Sequence, residues 1–173
     1  ECGHYAHSYW DFKCGPVVLP AGCVGVQSTL TAPASDSPQN PYLYQWSHNG
    51  TIMPGATTQS LVVTPTVVTD TFVVQVTDPM GGCKFYLTYV PVVVTPAFTY
   101  TGTPCSGTYT FADSSYSTPS SANITGWNWQ FPGGSPGTAN TSTISVSYPP
   151  GNYTASLTVT SSAGCVATST PTF

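Results

Sequence analysis

Gly151-Asn-Tyr-Thr-Ala-Ser-Leu-Thr-Val-Thr-Ser-Ser-Ala-Gly-Cys165 is the stretch that decides the fold. Tyr153, Ala155, Leu157 and Val159 fall on one face, and Thr154, Ser156, Thr158 and Thr160 on the other. A period of two is that of a β-strand with one face buried and one in water. The strand runs into a Ser-Ser-Ala-Gly turn and then Cys165. A second copy lies upstream, Asp70-Thr-Phe-Val-Val-Gln-Val-Thr-Asp-Pro-Met-Gly-Gly-Cys83, with Phe72, Val74 and Val76 as its apolar face. Two strand-turn-Gly-Cys units predict two related β-domains in tandem.

Working outward from these strands, each half repeats one pattern. In the first, Val24, Val26, Leu30 and Ala32 alternate as an early strand, and Pro33–Pro41 reads as a loop. Tyr42, Tyr44 and Trp46 line one face of a central strand that ends at Asn49-Gly50, a strong hairpin signal. Leu61-Val-Val63 is a short strand, and Phe85–Val90 closes the sheet. In the second half Tyr109 and Phe111 point inward. Trp127, Trp129 and Phe131 line a central strand, Pro132–Gly137 turns, and Ile144, Val146 and Tyr148 alternate. No long window has helical periodicity, and 17 Pro and 16 Gly punctuate short strands throughout. The expected class is all-β: two tandem antiparallel β-sandwiches, at 20–95 and 96–173. The connection Pro91-Val-Val-Val-Thr-Pro96 has no Gly and should be stiff, which places the domains end to end. Residues 1–19 are read as a leading disulfide loop or the end of a preceding module.

Composition narrows the function. Charged residues are 5% of the 173, Arg is absent, and the only Lys are Lys13 and Lys84. Phosphate neutralisation cannot then drive binding, which argues against nucleic acid and against acidic membrane surfaces. No apolar run has the ~20 residues of a membrane helix, so direct membrane insertion is not expected. The N-terminus lacks a basic start and an apolar middle, and Thr172-Phe173 ends where a last strand should still run. We therefore expect a piece of a longer secreted, extracellular chain.

Six Cys suggest an oxidising compartment. Cys23 and Cys83 are 60 residues apart, and so are Cys105 and Cys165. Six cysteines allow 15 connectivities. The matched spacing favours one bridge inside each domain, Cys23–Cys83 and Cys105–Cys165, with Cys2–Cys14 closing the leading loop. Cys2, His4, His7 and Cys14, with Asp11 nearby, also form a zinc-type ligand set. In an oxidising compartment the disulfide is the simpler reading.

These residues carry a resemblance. Trp127-Asn-Trp-Gln-Phe-Pro-Gly-Gly134, followed by Tyr148 and Gly151–Thr160, resembles a PKD domain, in the Bacteroidota variant with Phe-Pro-Gly-Gly. Tyr44-Gln-Trp46, Asn49-Gly50, Ile52, Gly55-Ala56 and Val74–Asp78 make the first half similar to bacterial Ig-like repeats. There a Gly-Thr-Tyr step usually precedes the late strand. Here it reads Asp70-Thr-Phe72, so no phenol can make the corner hydrogen bond. Such tandems are typical of long surface proteins exported by the Bacteroidota type IX secretion system, including gliding-motility and attachment adhesins. The resemblance implies a spacer or adhesive role on the cell surface, without catalysis.

Motifs that could carry chemistry read as structure. Gly133-Gly-Ser-Pro-Gly137 matches a nucleophile-elbow pattern, but Pro136 has no N–H for an oxyanion and no helix should follow. Asp36, Asp70, Asp78 and Asp113 are scattered, so a calcium site would have to rely on backbone carbonyls. His48, beside the Asn49-Gly50 turn, reads as an exposed loop residue, and neither it nor His4 or His7 has a triad context. Sequons at Asn49, Asn123, Asn140 and Asn152 mean little in a bacterial protein. Trp46, Trp127 and Trp129 are expected in the core. Tyr5, Tyr9, Trp10 and Phe12 are then the candidates for glycan contact. The expected function is a non-catalytic structural or adhesive segment of a surface filament, partnered by neighbouring modules and by surface glycans, with no cofactor. The alternative is a spacer or carbohydrate-binding region of a large secreted hydrolase.

Overall fold

The computed structural model describes residues 19, 21–35, 38–79, 84–103 and 107–172. The first half contains β1 (Ser28–Thr31), β2 (Leu43–His48), β3 (Thr51–Ile52), β4 (Ser60–Val63), β5 (Phe72–Thr77) and β6 (Lys84–Tyr89). The second contains β7 (Val93–Thr95), β8 (Phe98–Gly102), β9 (Thr108–Asp113), β10 (Tyr116–Thr118) and β11 (Ile124–Gln130). It continues with β12 (Thr138–Ala139), β13 (Thr143–Ser147), β14 (Ser156–Ser161) and β15 (Val166–Ser169). All ladder pairs are antiparallel, and no helix occurs among the described residues.

Each half is a sandwich of a larger and a smaller sheet. The first packs β3-β2-β5-β6 on β1-β4; the second packs β12-β11-β14-β15 on β13-β9-β8. The alternation read from the sequence sets which side faces in. Along β5 and β14 every second residue is buried: Phe72, Val74 and Val76, then Leu157 and Val159. One buried tryptophan centres each core. Trp46 sits opposite Val74 on β5, and Trp129 opposite Leu157 on β14. Both indoles are fully buried, and each finds its obligatory acceptor on a carbonyl 12 residues later. Trp46 Nε1 donates to Thr58 O, and Trp129 Nε1 to Thr141 O, both at 2.8 Å. The two halves therefore superpose in sequence with an offset of 83 at their centres.

The Asn49-Gly50 hairpin forms as expected, with φ of 48° and 77° at the two turn residues. Outward faces are stitched by hydroxyl pairs in place of charges: Thr110 with Ser145 at 2.9 Å and Thr158 with Thr168 at 2.7 Å. Two expectations fail. Val26 is exposed, because the early strand begins only at Ser28. Trp127 is half-buried, and its indole donates to Asp113 Oδ2 at 2.7 Å. Within the connecting stretch, expected to be stiff, Val93–Thr95 pairs with Tyr116–Thr118.

Candidate functional site

Strand direction locates two places where chemistry collects, the junction between the halves and the far pole of the second. β6 runs from its pairing with Thr77 at one end of the first sheet to Tyr89 opposite Phe72 at the other. The chain then reaches Val92, whose N–H donates to Gly22 O at 2.7 Å and whose carbonyl accepts from Val24 N at 3.0 Å. Cys23 lies between those two partners. In the second half β14 runs back toward this point, ending at Ser161. Gly164, at φ +78°, closes the turn into β15. Ser161 N donates to Cys165 O at 2.9 Å, and Ser161 Oγ accepts from Cys165 N at 3.2 Å.

Cys165 is disulfide-bonded to Cys23, with Cα atoms 5.4 Å apart. Around the bond Val92, Ala122 and Cys165 form a small buried cluster, with Val94 and Ala163 against it. The β10–β11 loop is drawn in as well: Ser162 N donates to Asn123 O at 2.7 Å, and Ser117 Oγ to Ala122 O. This overturns two of the expected bridges. Cys23 does not bond Cys83, and Cys165 does not bond Cys105. The reason is polarity. Cys23 lies at the Tyr89 end of the first sheet, whereas the β5–β6 turn leaves from the Thr77–Lys84 end. Six strand residues, roughly 20 Å, separate the two ends. Cys83, Cys105, Cys2 and Cys14 lie outside the described residues, as do His4, His7 and Asp11 of the zinc-type set.

Beside the junction, Asp70 takes over the corner left without a tyrosine. It is 4% exposed. Its Oδ2 accepts from Thr66 N at 2.7 Å and Val67 N at 3.1 Å; its Oδ1 contacts His48 Nε2 at 3.0 Å and Asn49 Nδ2 at 3.2 Å. The two backbone donors, then His48, hold the carboxyl well below the usual carboxylate range against the opposing effect of burial. His48 is thus not a loop residue. It ends β2, stacks on Phe72 with centroids 4.5 Å apart, and meets a carboxylate. A sequence search for Asp two positions before a late strand, in place of the corner tyrosine, would have found this cluster.

The far pole of the second half holds an aromatic cleft of about 450 Å³. Tyr100, Tyr109, Tyr148 and Tyr153 line it, with Pro149, Pro150 and Gly151 along one side. Tyr148 and Tyr153 pack at 4.4 Å between centroids, and Tyr100 is 47% exposed. The rings stand over glycines. A Cβ on Gly134 would meet Val146 and Tyr148 at 2.6–2.8 Å, and one on Gly133 would meet Tyr153 at 2.8 Å. Burial, then the neighbouring Tyr153, pushes the Tyr148 phenol up from its ordinary value. The expected glycan candidates Tyr5, Tyr9, Trp10 and Phe12 lie outside the described residues. In the sequence the cleft is marked by Tyr148-Pro-Pro-Gly-Asn-Tyr153, two rings bracketing a rigid turn.

Other expected sites resolve into structure. Ser135 exchanges backbone hydrogen bonds with Ser147, 2.9 Å each way, which puts Gly133–Gly137 in a loop against β13. Asp113 is committed to Ser115 N and Trp127 Nε1. Asp36 lies outside the described residues; among those described, no three His, Cys, Asp or Glu side chains group as metal ligands.

Comparison with known proteins agrees with this architecture. Residues 93–173 match the family model described as PKD domain. The PKD1 domain of Vibrio anguillarum Epp is 24% identical, over 47% of this chain and 90% of that one, with a TM-score of 0.41. The three N-terminal domains of the bacteriophage RB49 Highly Immunogenic Outer Capsid protein are 13% identical, over 89% of this chain, with a TM-score of 0.47. This chain spans 55% of that fragment. Extracellular domains 3–5 of Drosophila OTK are 14% identical, over 90% of this chain and 58% of theirs, with a TM-score of 0.41. No curated protein matches. The second half thus matches a PKD domain model, and both halves are antiparallel β-sandwiches. No described helix is long and apolar enough to cross a membrane.

Proposed function

We propose that this chain is a non-catalytic structural and adhesive segment of a long secreted protein on the cell surface. The observation that carries this reading is the Cys23–Cys165 bond, which joins one sandwich to the next instead of closing either one. A catalytic domain gains little from such a bond; a rod does, because its joints become covalent and its orientation is preserved. The low charge and the hydroxyl-rich outer faces suit an extracellular rod. The resemblance of the sequence to gliding and attachment adhesins of Bacteroidota, exported by type IX secretion, supports the surface of such a cell as its place. Antibodies raised against this chain should label filaments on intact cells of the source organism, and deletion of the gene should remove both label and filaments. Label found only on a soluble enzyme in the medium would overturn the reading.

One observation favours a second reading, a carbohydrate-binding spacer of a secreted hydrolase. The tyrosine cleft presents rings and a rigid edge at one pole, which suits stacking on sugar faces. Binding on a glycan array that is lost in Tyr100→Ala would support that reading.

A further inference from the structure

We propose that the Cys23–Cys165 bond is a force bypass, which takes tension off both sandwiches when the chain is pulled along its length. The bond joins residues 142 positions apart in sequence at a Cα–Cα distance of 5.4 Å. Unravelled, that interval would measure about 500 Å. Every strand from β1 to β14 lies inside it; among the described strands only β15 lies outside. A load entering from the N-terminal side reaches Cys23, crosses the sulfur–sulfur bond, and leaves through Cys165 into Val166.

The local hydrogen bonds hand the load to that bond. On the entry side Leu19 N is tied to Thr88 O at 3.2 Å, and Val92 brackets Cys23 through Gly22 and Val24. On the exit side β15 is held to β14 by four residue pairs, Thr160↔Val166 to Leu157↔Ser169, and beyond it Ala155 N donates to Pro171 O at 3.3 Å and Thr154 pairs with Thr172. Pulling strips β15 first, and because its four residues are already extended as a strand, the chain lengthens little. Load then meets a covalent bond, and the Trp46 and Trp129 cores carry none of it. A bridge inside each sandwich, as the cysteine spacing suggested, would have left the connection between Cys83 and Cys105 in the load path. The cross-bond removes it. This inference depends on the path of the chain, and holds whether or not the surface is adhesive.

Single-molecule pulling of the full chain between handles at its two ends tests it. The oxidised protein should yield only short extensions, from β15 and from the residues before Cys23. With dithiothreitol, or in the double variant C23S/C165S, most of the ~500 Å should appear. A double variant that fails to fold still serves, since it extends by the same length without force peaks. Oxidised protein that lengthens as far as the double variant would show that no bond spans Cys23 and Cys165, and would overturn the proposal. Failure of the surface-labelling experiment would leave it standing.

Discussion

The two sandwiches share a centre and differ at their ends. Each packs a central tryptophan against the late strand and pairs its indole with a carbonyl 12 residues on. At the loop entering that late strand they part company. The first half secures the loop with a buried carboxylate, Asp70, which collects backbone and side-chain donors. The second secures it with two packed, mutually tilted rings, Tyr148 and Tyr153, over glycines. The sandwich plan demands a stable centre and tolerates either chemistry at the corner. The corner is where one half could become pH-sensitive and the other could offer aromatic surface.

The largest expected effect falls on the element that couples the halves. Cys165→Ser releases a loop closed over 142 residues, which the chain-entropy model values at about 5 kcal/mol. Calorimetry should show lower melting for the pair and separation into two transitions; an unchanged single transition would refute the assigned bridge.

Next come the centres themselves. Trp46→Ala and Trp129→Ala should each cost about 3–5 kcal/mol, since both rings are fully buried and both leave a carbonyl unpaired. In a C23S/C165S background each should lower only its own transition. Joint loss of both would mean the halves do not fold as separate units.

A smaller contrast separates two glycines. Gly134→Ala should cost about 1–3 kcal/mol, because its methyl has no room beneath Val146 and Tyr148. Gly55→Ala, at φ +78° in open space, should cost about 1 kcal/mol from backbone strain alone. Denaturant midpoints of the two variants would rank them, and equal costs would show that the aromatic corner is loosely packed.

The subtlest comparison is pH. Because the folded state depresses the Asp70 pKa, its contribution is fully present above the unfolded value near 3.9. It is lost as pH falls through the lower folded value. Acid titration of stability should therefore weaken the first half below about pH 4, and Asp70→Asn should flatten that dependence while lowering stability at neutral pH. An acid profile identical to the wild type would remove Asp70 from this role.

Much of the fold was legible. Alternation at Phe72–Val76 and Tyr153–Val159 reports directly which side of a strand is buried, and Asn49-Gly50 needs only two residues to set its turn. Val26 misled because alternation outlasts pairing: the pattern continues although the partner strand β4 reaches only to Ser28. The Asp70 cluster and the tyrosine cleft were illegible for a common reason. Each gathers residues from elements far apart in sequence, such as His48 with Thr66, or Gly102 with Pro149, and no local period connects them.

The cysteines mark the boundary between the two kinds of information. That one strand-turn-Gly-Cys plan is used twice is readable from the residues alone, because hydrophobic period and turn residues act locally. Which cysteines meet is not. In a tandem repeat, a bond within a copy and a bond from one copy to the next fit the same repeating positions. Only the tertiary structure, by placing the Cys165 turn against the Cys23 end of the preceding sandwich, decided that the staple lies across the joint.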